Sequence, residues 1–173
     1  TYAIIGGTSG IGRSLARMLV ERGDRVLLGG RAHQRLDSTL KELGQRTSGR
    51  VVGITDRASL EIFFRQSPRL SGLFTPAATY VTGTFASGAL ESSEELFRAK
   101  FWGQYWAVHS ALPYLNPDAS VVLMSGAASV RPIGAPAYAA CNWALEGLAR
   151  GLALELAPIR VNCLSPGTTD SDL

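Results

Sequence analysis

The chain has 173 residues, 46% of them hydrophobic and 18% charged, with a formal net charge of +3. That length suits one domain with a proper core, and that composition excludes a disordered chain. No apolar stretch is long enough to cross a bilayer, and the arginines are scattered singly rather than interleaved with aromatics, which argues against a nucleic-acid surface.

The first apolar run, Tyr2–Ile5, reads as a strand and leads into Gly6-Gly7-Thr8-Ser9-Gly10-Ile11-Gly12. Glycines at this spacing let a strand turn sharply into a helix and let backbone amides approach a phosphate. Ile11, Leu15, Met18 and Leu19 follow with helical spacing. A second strand is expected over Arg25–Leu28, followed by Gly29-Gly30-Arg31 and a helix with Leu36, Leu40 and Leu43 on one face. A third strand is expected over Arg50–Ile54. Asp56 then stands before a helix carrying Leu60, Phe63 and Phe64, where it can serve as a cap.

The fourth strand, Gly72–Thr75, runs into Pro76-Ala77-Ala78. Ser92-Ser93-Glu94-Glu95 has the pattern of a capping box and predicts a long helix from near Ser92 toward Pro113, which contains Lys100. A fifth strand, Ser120–Met124, ends at Ser125. A helix from about Ala137 to Ala157, stopped by Pro158, carries Tyr138 and Asn142. The sixth strand, Ile159–Leu164, leads into Ser165-Pro166-Gly167-Thr168.

These strands are almost wholly apolar, so both faces of the sheet are expected to be covered. Strands alternating with helices predict an α/β fold: a doubly wound, mostly parallel sheet in three layers, spanning residues 1–173 as one domain. In such folds ligands bind at the carboxyl ends of the strands. Cys141 and Cys163 cannot make a disulfide framework. His33 and His109 stand far apart without ligand-like neighbours, so no metal site is expected. The chain begins inside a strand with no basic-then-apolar leader, so a cytoplasmic setting without membrane attachment is expected.

Taken together, these features resemble the short-chain dehydrogenase/reductase family over nearly the whole chain. Gly6, Thr8, Ser9, Gly10, Ile11 and Gly12 match that family's cofactor loop. Asp56 matches the acid that contacts the adenine. Ser125 and Tyr138, thirteen residues apart, match its catalytic pair. Arg160-Val161-Asn162 and then Pro166, Gly167 and Thr168 match the sixth strand and the nicotinamide-facing turn. Ala77 follows the fourth strand, where the family usually has Asn-Asn-Ala-Gly. Here the segment reads Thr75-Pro76-Ala77-Ala78, and proline removes one backbone donor.

The second strand is followed by no carboxylate that would repel a 2′-phosphate, and Arg31 can clamp one, so NADP(H) is expected ahead of NAD(H). Arg13 adds positive charge nearby. Arg31 could alternatively be a surface arginine opening a helix.

The resemblance implies a tyrosine as acid/base, a serine that orients the carbonyl, a lysine four residues after the tyrosine, and an asparagine on the preceding long helix. Here the lysine position is Asn142 and the asparagine position is Lys100, an apparent exchange. Asn142 shares a helix face with Tyr138 and could hydrogen-bond a ribose, but brings no charge. Lys100 could supply the missing ammonium, or it could snorkel to the surface. Two functions stay open: an NADP(H)-dependent alcohol dehydrogenase or carbonyl reductase, and a dinucleotide-binding sensor or structural module with little or no turnover.

The family usually continues past the Pro-Gly turn through a lid, a last strand and a helix. The resemblance therefore implies that these lie beyond Leu173, and Ser171 matches the polar residue closing the motif. It also implies a homodimer or homotetramer paired through the two long helices, with Gly103, Ala107, Gly147 and Gly151 as small residues and Trp102 and Trp106 as exposed aromatics.

Overall fold

A computed structural model describes residues 1–77, 83–131 and 134–170. The expectations placed on Ala78 and Ser171 lie outside them. Six strands form one sheet in the order β3-β2-β1-β4-β5-β6, and every pairing is parallel. They are β1 (Tyr2–Ile5), β2 (Val26–Gly30), β3 (Thr47–Val51), β4 (Leu70–Thr75), β5 (Leu115–Met124) and β6 (Arg160–Leu164). The helices are α1 (Gly10–Glu21), α2 (His33–Leu43), α3 (Arg57–Arg65), α4 (Leu90–Leu96), α5 (Gly103–Ala111) and α6 (Pro136–Glu155). The order reverses between β1 and β4, so the crevice at their carboxyl ends is the place where such a fold takes ligands.

Strand periodicity divides the core into two layers. Ala3, Ile5, Leu27, Leu73, Val121 and Leu123 pack with residues of α3, α5 and α6 on one face. Ile4, Val26, Leu28, Phe74 and Met124 pack with α1 and α2 on the other. Alternate side chains of a strand point to opposite faces, and both faces are apolar, as the continuous apolar runs require.

Three elements differ from the sequence expectation, one of them β5, which begins at Leu115 rather than Ser120. β3 spans Thr47–Val51 rather than Arg50–Ile54, its register set by pairing Val26 with Thr47 and Gly30 with Val51. Val52 and Ile54, the apolar residues that suggested a later strand, are buried from the loop beyond it. The helix expected at Ser92 starts at Leu90, behind an extended Ala89 that supplies no side-chain cap. Ser92–Glu95 therefore lies inside the helix instead of capping it, and Glu91 is the acid in its first turn.

Between α4 and α5 the backbone widens into a π-helical turn over Phe97–Trp102. Such turns are rare and cluster at functional sites. Of the small residues expected on the outer helix faces, Gly103 and Ala107 are buried. A Cβ on Gly103 would lie 2.7 Å from Ile54 Cγ1. Gly147 and Gly151 have open space beside them. Among the described residues, no helix is long and apolar enough to cross a membrane.

Candidate active site

The carboxyl ends of the strands enclose a cavity of about 890 Å³, in the range of small-molecule sites. One end is built from the glycine turn. Gly6 has φ +100° and its missing Cβ would lie 2.8 Å from Ala77 N, while a Cβ on Gly12 would lie 2.1 Å from Gly6 O. Only glycine permits this approach, so the β1–α1 connection is dictated by its sequence. Gly6, Thr8, Ser9, Ile11 and Gly12 all line the cavity, with Ala77 beside them. Ser9, at the N-cap of the 12-residue α1, makes no side-chain capping bond, so its hydroxyl stays available where the helix dipole favours an anion.

At the end of β2, Gly30, Arg31 and Arg35 line the cavity. A Cβ on Gly30 would lie 2.7 Å from Thr8 Cγ2, so the Thr8 methyl fills the space a longer residue there would need. Arg35, in the first turn of α2, is a contributor the sequence reading missed. Arg13, expected to add charge here, instead pairs with Glu42, as does Arg17. Their hydrogen bonds hold the Glu42 carboxyl below its usual range.

Gly10 and Asp56 are not among the lining residues. Gly10 starts α1 at φ +49° and is buried. Asp56 caps α3 by accepting from Ser59 N at 3.1 Å, and its neighbour Thr55 faces the cavity. At the far end, Pro166, Gly167 and Thr168 form the wall. This turn is fixed to the end of β5 by bonds from Ser125 N to Leu164 O and from Ala127 N to Pro166 O.

Lys100, Ser125 and Tyr138 meet in the same cavity. Lys100 does not snorkel: it is 1% exposed. Its Nζ donates to Ser125 O at 3.0 Å and lies 4.9 Å from the centroid of the Tyr138 ring. Burial pushes the Lys100 ammonium down to about 8, because desolvation disfavours the charged form.

Two features aim this side chain. The π-turn presents it, and Gln104, fully buried, locks the backbone behind it. Gln104 Nε2 donates to Lys100 O at 2.9 Å and Met124 O at 3.0 Å, and its Oε1 accepts from Met124 N and Thr75 Oγ1, each at 2.8 Å. Every hydrogen-bonding position of the amide is used, which ties β4, β5 and the π-turn together. Gln104 was also missed from sequence; a polar residue on the buried side of a helix was its only signal.

Ser125 lines the cavity, and its hydroxyl already has a partner. Ser125 Oγ donates to Glu146 Oε1 at 2.9 Å and lies 3.3 Å from Asn142 O. A hydroxyl has one proton, and here a carboxylate engages it. Glu146 Oε1 also accepts from Ser165 Oγ at 3.1 Å. Burial would raise the Glu146 carboxyl, but bonds from Ser129, Ser125 and Ser165 outweigh it and hold the group low.

Asn142 is fully buried and is not among the lining residues. Its Nδ2 donates to Gly126 O at 3.3 Å, and its Oδ1 has no hydrogen-bond partner. A ribose contact from Asn142, as the sequence suggested, would have to pass Gly126, whose missing Cβ would lie 3.2 Å from Asn142 Nδ2.

The family model described as short chain dehydrogenase matches residues 1–173. The chain belongs to the short-chain dehydrogenase family. Among similar proteins, human dehydrogenase/reductase SDR family member 2, mitochondrial, is 30% identical over 98% of this chain, which spans 65% of that protein. The cyclic-di-GMP-binding biofilm dispersal mediator protein of Escherichia coli is 30% identical over 99% of this chain and 74% of its own length. The crystal structure of an oxidoreductase of this family from Burkholderia thailandensis superposes with a TM-score of 0.90, at 26% identity, over 99% of this chain and 69% of that one.

The residues present fit a family dinucleotide. The glycine cradle closes if a Cβ is added, the Ser9 side chain at the α1 N-terminus makes no capping bond, and two arginines stand at the β2 end of the same cavity.

Proposed function

We propose that this chain is the core of an NADP(H)-dependent oxidoreductase that moves a hydride between nicotinamide and an alcohol or carbonyl substrate. The observation that carries this reading is the cavity itself: one continuous space runs from the glycine turn to the paired Tyr138 and Lys100. When bound, the nicotinamide cofactor supplies or takes the hydride.

Gly6, Gly12 and Ser9 would receive the pyrophosphate, Arg31 and Arg35 the 2′-phosphate, and the Pro166–Thr168 turn the nicotinamide. The preference for NADP(H) is supported by those two arginines and by the absence of a carboxylate at Gly30, where Thr8 also leaves no room for one. Tyr138 is the acid/base. Its ordinary titration near pH 10 is far from neutrality, and a nearby ammonium lowers the cost of the phenolate.

The chain functions in the cytoplasm on a small-molecule carbonyl or alcohol. It self-associates as a homodimer or homotetramer through the outer face of the π-turn, α5 and α6, where Trp102, Tyr105, Trp143 and Leu154 are exposed. Residues 1–173 form a single cofactor-binding domain.

Titrating the protein with NADPH and NADH, and then following cofactor oxidation over a panel of aldehydes and ketones, tests the reading. Tighter NADPH binding with turnover of at least one carbonyl supports it. Binding without turnover on any carbonyl supports the sensor instead.

A further inference from the structure

In this cavity the one serine hydroxyl at the end of β5 is turned to a carboxylate, while a buried ammonium faces the tyrosine. We propose that Lys100, rather than Ser125, holds the substrate's carbonyl oxygen, and that Ser125 and Glu146 form the mount that aims it. The inference rests on the reductase reading and assigns the roles within that site.

Three observations lead to it. Ser125 uses its two sides for different partners: its hydroxyl donates to Glu146, while its carbonyl accepts from Lys100 Nζ. Glu146 fastens Ser125 and Ser165 to α6 through one oxygen, so the end of β5 and the turn before Pro166 are held to the helix that carries Tyr138. The following residue, Gly126, has no side chain to offer, and Asn142 stands directly behind it.

An ammonium has three N–H donors. Among the described residues, Lys100 Nζ makes one hydrogen bond, to Ser125 O, and no carboxylate pairs with it. The cavity side of the group can thus donate to an oxygen placed next to Tyr138. A donor aimed at the developing oxyanion in a dry site stabilises the transition state more than the ground state.

In reduction, the carbonyl carbon accepts the hydride pair, the π pair moves onto oxygen, and Tyr138 transfers its phenolic proton to that oxygen. Lys100 keeps its own protons throughout and acts only as donor and positive charge. The Tyr138 phenolate left behind is stabilised by the same ammonium until solvent returns a proton.

The test compares Lys100→Met, Lys100→Gln, Ser125→Ala and Glu146→Gln by kcat, KM and NADPH Kd on a carbonyl that the protein reduces. A readout independent of activity accompanies it: the ultraviolet titration of Tyr138, isolated by subtracting Tyr138→Phe. Removing the ammonium should lower kcat by about a hundredfold, leave NADPH Kd within about threefold, and move the Tyr138 titration upward. Ser125→Ala should cost less than about tenfold and leave that titration in place, because only a mount is lost. Glu146→Gln keeps an oxygen acceptor for both serines and should resemble Ser125→Ala.

If Ser125→Ala costs as much as Lys100→Met, or if the Tyr138 titration ignores Lys100, the assignment is overturned while the reductase reading stands. If no carbonyl is turned over by the parent protein although NADPH binds, the reductase reading fails and takes this assignment with it.

Discussion

The Lys100 ammonium lies over the Tyr138 ring, 4.9 Å from its centroid. One comes from a π-turn and the other from α6, so the pair exists only because two elements distant in sequence converge. The ring face offers the cation partial compensation for lost water. That compensation is incomplete, because burial still pushes Lys100 down to about 8 from the ordinary 10.5.

This makes the protein's stability depend on pH in a definite direction. Between about pH 8 and 10.5 the unfolded chain holds the Lys100 proton and the native chain has lost it, so native stability rises across that window. Below about pH 8 the full cost of the buried charge is present, on the order of 3 kcal/mol. Lys100→Met should therefore be more stable than the parent at neutral pH, with the gap closing as pH rises through the window. Denaturant melts at several pH values measure this, and a gap that stays constant with pH would contradict it.

Gly12→Ala tests the cradle. Its Cβ would lie 2.1 Å from Gly6 O, a backbone atom that a rotamer change cannot clear. Stability should fall by roughly 1–3 kcal/mol, and NADPH binding should be lost in protein that remains folded. Calorimetric titration with a thermal melt reads both.

Arg31→Ala and Arg35→Ala test cofactor choice. Each should weaken NADPH by about tenfold, the loss of one charge-assisted contact, while NADH changes less than about twofold. Equal losses for both cofactors would mean that the arginines do not read the 2′-phosphate.

Gln104→Leu tests the brace behind Lys100. It removes four buried hydrogen bonds, two donated by Gln104 Nε2 and two accepted by its Oε1. A loss of about 2–4 kcal/mol is expected, and chemical denaturation measures it.

Much of this was legible in the sequence because it was local. The glycine turn and the apolar strands follow from spacing along single elements, and Tyr138 and Lys100 stand at positions that the family resemblance marks. The direction of the Ser125 hydroxyl was not legible, since it depends on Glu146 and Ser165 arriving from α6 and from beyond β6. Gln104 was hidden for the same reason: its partners belong to β4, β5 and the π-turn. Asn142 was expected at the cavity surface from its helix face, but the β5–α6 junction places Gly126 in front of it. The start of α4 was misread because Ser92–Glu95 has the composition of a cap without its place at the helix end.

The most direct test of the central claim is the turnover of Tyr138→Phe. The ring, and with it the contact to Lys100, is retained, and only the hydroxyl is lost. Carbonyl reduction by NADPH should fall by about a hundredfold or more, with NADPH Kd unchanged within about twofold. Turnover in Tyr138→Phe equal to that of the parent would contradict the claim that Tyr138 carries the proton.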